Sequence, residues 1–152
     1  MRKGIRYAID FGDARVGLAK SDIDAIMAVP VATIKNDQNM LKNIIEHINE
    51  TGCIEIYVGL PKHLSGAIGQ SANKAINFAQ QLSKQLPDIS IRMMDERLTT
   101  SSASARLQES GVNTRAQKGL IDQAAAIELL EQALDFEKRN NQIPGQDLKE
   151  VK

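Results

Sequence analysis

The hydrophobic and polar positions of the chain follow two different periods, and these periods separate strands from helices. Ile5–Phe11 and Ile54–Leu60 are short, nearly continuous apolar runs, which are typical of buried strands. Residues 40–50 switch to helical spacing, with apolar side chains at positions i, i+3, i+4 and i+7: Leu41, Ile44, Ile45 and Ile48. Gly52 follows this segment and is suited to end a helix.

Applied to the whole chain, the same pattern predicts strands that alternate with helices. The predicted strands are Ile5–Phe11, Arg15–Lys20, Val29–Ile34, Ile54–Leu60 and Ile89–Met94. The predicted helices are residues 40–50, residues 71–86, a segment from Thr99 or Thr100 to about Glu109, and a last helix that Asp122 opens after a polar loop, Gly111–Gly119. Alternating strands and helices imply right-handed crossovers and a parallel core. We therefore expect an α/β fold with a mixed five-stranded sheet, antiparallel leading strands and helices on both faces.

Composition places the chain among single globular domains. It has 152 residues, of which 42% are apolar and 25% are charged. We expect one domain over residues 1–138, followed by a polar tail, residues 139–152, that is frayed. One cysteine indicates a reducing, cytoplasmic setting, and no apolar run reaches the roughly 18 residues of a membrane span. The start of the chain runs directly into a strand and lacks the apolar region of a signal peptide.

Three carboxylates stand at the ends of predicted elements, where candidate chemistry is expected. Asp10 lies inside a buried strand, Glu96 follows another strand, and Asp122 opens the last helix. Ligands bind at the carboxyl ends of strands in open α/β sheets, so the three side chains could meet there. Clustered carboxylates favour a hard divalent ion, Mg²⁺ or Mn²⁺. Each residue also has a simpler reading, as a turn residue, a helix-entry carboxylate or an N-cap, respectively.

Four blocks of the sequence, in order, resemble the YqgF/RuvX family. They are Tyr7–Gly12 with Arg15–Ala19, Val58–Pro61, Asp95–Thr100 and Lys118–Ala126, and together they cover roughly residues 5–135. The resemblance implies an RNase H-like fold and a nuclease, described for the family both as a pre-16S rRNA nuclease and as a Holliday junction resolvase. It also implies that Asp10, Glu96 and Asp122 are the metal-binding and catalytic acids. No fourth acid has a clear motif position, because the adjacent Asp95 could point the other way. The sequence therefore does not decide whether the site holds one metal ion or two.

Basic residues near these blocks are candidates for binding a phosphodiester backbone. Net charge is zero, with 19 basic and 19 acidic residues, which argues against binding nucleic acid by bulk electrostatics. Residues 91–120 nevertheless hold five Arg or Lys against three acids, so the charge is unevenly distributed. The candidates are Arg15, Lys62, His63, Arg97, Arg115 and Lys118. Any one of them could instead be a solvated surface charge. An aromatic content of 3% argues against a base-stacking platform.

The favoured function is a divalent-metal-dependent nuclease that matures the 5′ end of the 16S rRNA precursor. Cleavage of branched DNA as a Holliday junction resolvase is one alternative. A non-catalytic nucleic-acid-binding module is another, and an actin-like nucleotide binder is disfavoured by the length of the chain. We expect nucleic acid as the partner, no membrane association, and a monomer or a homodimer; the sequence does not decide between RNA and branched DNA.

Overall fold

The computed structural model describes residues 1–61, 69–95 and 114–151, and for residues 114–122 it describes the backbone only. The strands are β1 (Arg6–Phe11), β2 (Arg15–Ser21), β3 (Ala28–Lys35), β4 (Glu55–Leu60), β5 (Ser90–Asp95) and β6 (Gln146–Asp147). The helices are α1 (Met40–Thr51), α2 (Gln70–Gln85), α3 (Thr114–Asn140) and a short 3-10 helix, Leu148–Glu150. None of the helices in these ranges combines the length and the apolar character that crossing a membrane requires.

The described strands form one mixed sheet in the order β3-β2-β1-β4-β5-β6. Strands β1, β4 and β5 are parallel to one another, whereas β2 and β3 form the antiparallel edge that the leading hairpin predicts. The predicted α/β fold class is confirmed. The sixth strand comes from the polar tail and pairs antiparallel with β5.

The expectation of a frayed tail is wrong. Leu148 is only 8% exposed and packs into the core, and the Arg92 guanidinium donates a hydrogen bond of 2.7 Å to the Gly145 carbonyl. Gly145 has a φ of +75°, and a Cβ at this position would lie 2.8 Å from the Met93 carbonyl oxygen. Only glycine fits such a close turn, and this turn brings the chain back alongside β5.

Helix α3 begins eight residues earlier than the sequence predicts, at Thr114 instead of Asp122. Asp122 is therefore an interior position of the helix, and the N-cap interpretation does not apply to it. The predicted loop Gly111–Gly119 is wrong from Thr114 onward, because Gly119 lies inside the helix and one glycine costs a helix only about 1 kcal/mol relative to alanine. The predicted helix that ends near Glu109 lies outside the described residues.

The sheet separates two apolar layers, because neighbouring residues of a strand point to opposite faces. Helices α1 and α2 cover one face, the α1/α2 face, where Tyr7 and Ile9 of β1 are buried. Helix α3 crosses β1, β2 and β3 on the other face, the α3 face. Here its buried side chains meet Ala8, Ala19 and Tyr57. Small residues on the strands allow the long helix to approach the sheet closely.

A cluster of buried charges joins the chain start to the end of α3. The buried Arg–Glu cluster consists of Arg2, Arg6, Glu55 and Glu137; Arg6 is fully buried, while Glu55 and Glu137 are 1% and 4% exposed. Arg2 Nη2 lies 2.7 Å from Glu55 Oε1 and 2.6 Å from Glu137 Oε1, and Arg6 Nη2 lies 2.9 Å from Glu137 Oε2. Two arginines thus offset two buried carboxylates, with Arg6 fully buried and Arg2 36% exposed at the edge of the cluster.

We expect Glu137→Gln to reduce the free energy of unfolding by about 3–5 kcal/mol, because it leaves the Arg6 charge buried without its carboxylate. Urea denaturation measures this loss. Asp135→Asn on the same helix is the matched control, since it breaks only the exposed pair with Arg139 and should cost no more than about 1 kcal/mol. Equal losses in the two variants would contradict a structural role for the cluster.

The Glu137 carboxylate should make the free energy of unfolding depend on pH. Burial disfavours its charged form, but hydrogen bonds from Arg2 and the Arg6 charge outweigh burial and hold the pKa of Glu137 below its ordinary value of 4.5. The stabilisation is therefore complete above that pH and is lost as the pH falls through the lower folded-state pKa. The difference in unfolding free energy between the wild type and E137Q should be full at pH 7 and shrink below about pH 4.5. A difference that is constant from pH 7 to pH 3 would contradict this.

Candidate active site

Asp10 lies near the carboxyl end of the central strand β1 and is half-buried. Its neighbours Ile9 and Phe11 both pack on the α1/α2 face. Alternation along the strand therefore places Asp10 on the α3 face, together with Ala8. A carboxylate is thus held at the sheet edge where α/β folds bind ligands, and on the side that α3 covers.

Glycines flank Asp10 on both neighbouring strands. Asp10 pairs with Gly17 of β2, and Ile9 pairs with Val58 of β4, which sets Gly59 at the level of Asp10. Both glycines share the α3 face, because the residues on either side of each pack on the other face. No side chain therefore covers the carboxylate from these two cross-strand positions.

The turn after β1 is fixed by contacts on three sides. The Phe11 ring stacks on Phe78 of α2 with centroids 4.7 Å apart. The Asn36 side chain donates a hydrogen bond of 2.8 Å to the Gly12 carbonyl. A Cβ at Gly12 would lie 2.6 Å from the Arg15 carbonyl oxygen, so the turn is closed too tightly for a larger residue. The backbone that carries Asp10 and Arg15 is consequently well constrained.

Helix α3 is tied to the sheet at the same level as Asp10. Gln123 Nε2 donates a hydrogen bond of 2.8 Å to Thr33 Oγ1 on β3. Thr33 pairs with Gly17, which in turn pairs with Asp10, so all three lie in one row across the sheet. Position 122 of the helix immediately precedes this anchor and lies one turn before buried Ala126.

Strand β5 ends next to the same edge. Met93 packs on the α1/α2 face and Met94 on the α3 face, so alternation assigns Asp95 to the face opposite Asp10. Asp95 pairs with Leu60 at the end of β4. The direction of this carboxylate, which the sequence left open, is away from the face of Asp10.

The other predicted site residues are described less completely. Asp10 and Arg15 are described with their side chains, whereas only the helical backbone is described for Arg115, Lys118 and Asp122. Lys62, His63, Glu96 and Arg97 lie outside the described residues. Within the described ranges, no three His, Cys, Asp or Glu side chains are grouped so that they could hold a metal ion. The convergence of the three predicted acids therefore stays a prediction.

A second basic residue, Lys35, lies beside Arg15 and was not predicted from the sequence. Arg15 at the start of β2 pairs directly with Lys35 at the end of β3. Ile34 packs on the α1/α2 face, so Lys35 lies on the α3 face, as Arg15 does. Like charges on directly paired residues are unfavourable unless an anion offsets them. The alternation of β3 could have shown the face of Lys35, but its pairing with Arg15 depends on the strand register.

A groove of about 790 Å³ lies at the opposite end of the molecule. It runs between the β2–β3 turn and the later part of α3, where Ile26, Ala28 and Leu134 contribute to its lining. That turn is at the amino end of β1, away from Asp10 and from Arg15. The groove is thus separate from the candidate site.

Comparison with solved structures identifies the class of fold. The chain superposes on RuvC of Thermus thermophilus in complex with a Holliday junction substrate with a TM-score of 0.60 and 11% identity, covering 92% of this chain and 99% of that chain. A second structure of T. thermophilus RuvC gives a TM-score of 0.54 at 12% identity, covering 94% and 99%. At this level of identity the likeness concerns the fold, which is RNase H-like.

Sequence comparison then identifies the family. A protein named "Putative pre-16S rRNA nuclease" from Streptomyces avermitilis is 40% identical over 99% of this chain and 98% of its own length. A protein of the same name from Thermobifida fusca is 42% identical over 96% of each chain. The profile of the family RuvX, described as Holliday junction resolvase, matches residues 4–136. The chain belongs to the RuvX family, as the resemblance of the four sequence blocks implies.

Proposed function

We propose that this protein is a divalent-metal-dependent nuclease that hydrolyses phosphodiester bonds during maturation of the 5′ end of the 16S rRNA precursor. The observation that best supports the proposal is the place of Asp10, a half-buried carboxylate at the ligand-binding edge of the sheet. Its face is the one that α3 covers, and α3 contains Asp122. The name shared by the curated relatives supports precursor rRNA as the substrate.

The residues present fit a hard divalent cation. Carboxylate oxygens are the ligands that Mg²⁺ and Mn²⁺ prefer, and Gly17 puts no side chain beside Asp10 at the paired position. We propose that Asp10, Glu96 and Asp122 would hold the cation. When bound, such a cation offsets phosphate charge and makes a water molecule more acidic.

Basic residues would hold the scissile strand against this centre. Arg15 and Lys35 lie at the same edge and on the same face as Asp10, where they could each contact a phosphate. We propose the same role for Lys62, His63, Arg97, Arg115 and Lys118. Attack of water in line with the leaving group would release a 3′-hydroxyl and a 5′-phosphate. Recognition would depend on backbone and shape, since aromatic residues are few.

Branched DNA is the second candidate substrate. The description of the family as Holliday junction resolvase favours it. A resolvase must cut two strands symmetrically and would act as a two-fold dimer, whereas an rRNA processing enzyme needs no such symmetry. The oligomeric state of the active species therefore helps to separate the two candidates.

We expect Asp10→Asn to reduce cleavage about a thousandfold or more while the protein stays folded, because a metal centre supplies several kcal/mol to the reaction. The assay compares precursor 16S rRNA with a four-way DNA junction, each with Mg²⁺ or Mn²⁺. Asp13→Asn in the adjacent turn is the control, since Asp13 is exposed and its ion pair with Lys74, 3.1 Å long, is a solvent-exposed one that contributes little. Full activity in D10N would refute the metal role.

The same assay separates the remaining functions. Cleavage of the junction without cleavage of the rRNA would favour the resolvase. Absence of cleavage by the wild type at every metal concentration, with salt-dependent binding retained, would favour a non-catalytic binding module.

We expect Lys35→Ala to weaken nucleic-acid binding and to lower the slope of log affinity against log salt by about 0.7–0.9, the value of one lost phosphate contact. Lys42→Ala is the matched control, because Lys42 is exposed on α1, which covers the other face of the sheet. Binding measured by fluorescence anisotropy at several salt concentrations gives both slopes. Equal slopes in the two variants would show that Lys35 does not contact a phosphate of the bound nucleic acid.

A further inference from the structure

We infer that the hydrogen bond between Gln123 and Thr33 positions Asp122 for metal binding. This inference rests on the proposed function and adds two positioning residues to it. Neither residue would touch the metal or the nucleic acid. Their role would be to set the rotation and height of α3 over the sheet at the point where its acidic residue is needed.

The anchoring of α3 changes in character along the helix. From Ala126 to Leu134 the helix is held by buried apolar side chains, among them Leu129 and Leu130. At Gln123 the contact with the sheet is polar: Nε2 donates a hydrogen bond of 2.8 Å to Thr33 Oγ1. Gln123 directly follows position 122, and its side chain is the first along the helix that the structure describes.

The partner of this anchor is fixed relative to Asp10. Thr33, Gly17 and Asp10 are successive partners across β3, β2 and β1. Adjacent strands are 4.7–4.9 Å apart, so Thr33 and Asp10 are separated by about 10 Å of hydrogen-bonded sheet. The hydrogen bond therefore ties the helix to the same row of backbone that carries the first proposed metal ligand.

Small movements at this point would matter for metal binding. Successive helix residues differ by about 100° in direction and 1.5 Å in height, so a modest rotation at Gln123 displaces its neighbour directly. Ligands must be held within about 0.5 Å of their working geometry. A side chain that fixes the rotation of α3 at position 123 would thus control how position 122 meets Asp10.

The test uses nearly isosteric variants of both partners in the full-length protein. Thr33→Val removes the accepting oxygen, Gln123→Met removes the donor, and Thr33→Ser keeps the hydroxyl group. The affinity for Mn²⁺ alone is measured without nucleic acid, from the electron paramagnetic resonance signal of the free ion. Cleavage kinetics and the metal-free melting temperature are measured in parallel.

We expect T33V and Q123M each to weaken Mn²⁺ binding about tenfold, the lower end for residues that orient metal ligands. Both should lower kcat with little change in KM. T33S should stay within about twofold of the wild type. The double variant T33V/Q123M should lose no more than either single variant, because both remove the same hydrogen bond.

Other results would overturn the inference, and they can be told apart from failure of the proposed function. If D10N loses Mn²⁺ binding and cleavage while T33V and Q123M keep both, the positioning role is wrong and the nuclease proposal stands. Losses that add in the double variant would likewise contradict a shared hydrogen bond. If the wild type neither binds Mn²⁺ nor cleaves nucleic acid, the proposed function fails, and the inference fails with it.

Discussion

The packing of α3 across the sheet is the constraint on which the rest of the structure depends. One end of this 27-residue helix is locked by the buried Arg–Glu cluster, where Glu137 holds Arg2 and Arg6. Its middle is held by apolar side chains against the small residues of β1 and β2. Position 122 lies 15 residues before Glu137, about 22 Å along the helix. The backbone at position 122 thus belongs to a single helix that is held at its far end, along its middle and at Gln123.

Charged side chains at the two ends of the α3 face differ in how deeply they are buried. Glu55 and Glu137 are almost fully buried, so their charges are offset by the two arginines that contact them. Asp10 is only half-buried, and the glycines on either side leave access to its face. The buried cluster can therefore serve stability, while the accessible carboxylate can serve a ligand. The net charge of zero does not reveal this difference between the two ends, because it is a sum over the whole chain.

Sequence periodicity predicted the large buried elements well, and it was less successful where the signal is weak or nonlocal. The ends of β1, β4 and α1 agree with the apolar runs to within a residue or two, since burial dictates their composition. Strand β6 was missed because two polar residues carry no period; the turn at Gly145 creates the strand. Asp10 could be predicted as a candidate because a carboxylate inside an apolar run is conspicuous, and its role stays a prediction. Lys35 and Thr33 could not be predicted, because the roles proposed for them depend on strand register.

The glycines around Asp10 show why a single sequence reveals the charged members of a site more readily than its shape. Gly17 and Gly59 are far apart in the chain and would each be interpreted as a local weakness of a strand. Register brings them to either side of one carboxylate on one face of the sheet. Their contribution is the absence of a side chain, so neither has chemistry of its own to identify it. In the proposed nuclease, a phosphodiester that approaches Asp10 needs the absence of side chains at these positions as much as it needs the charges.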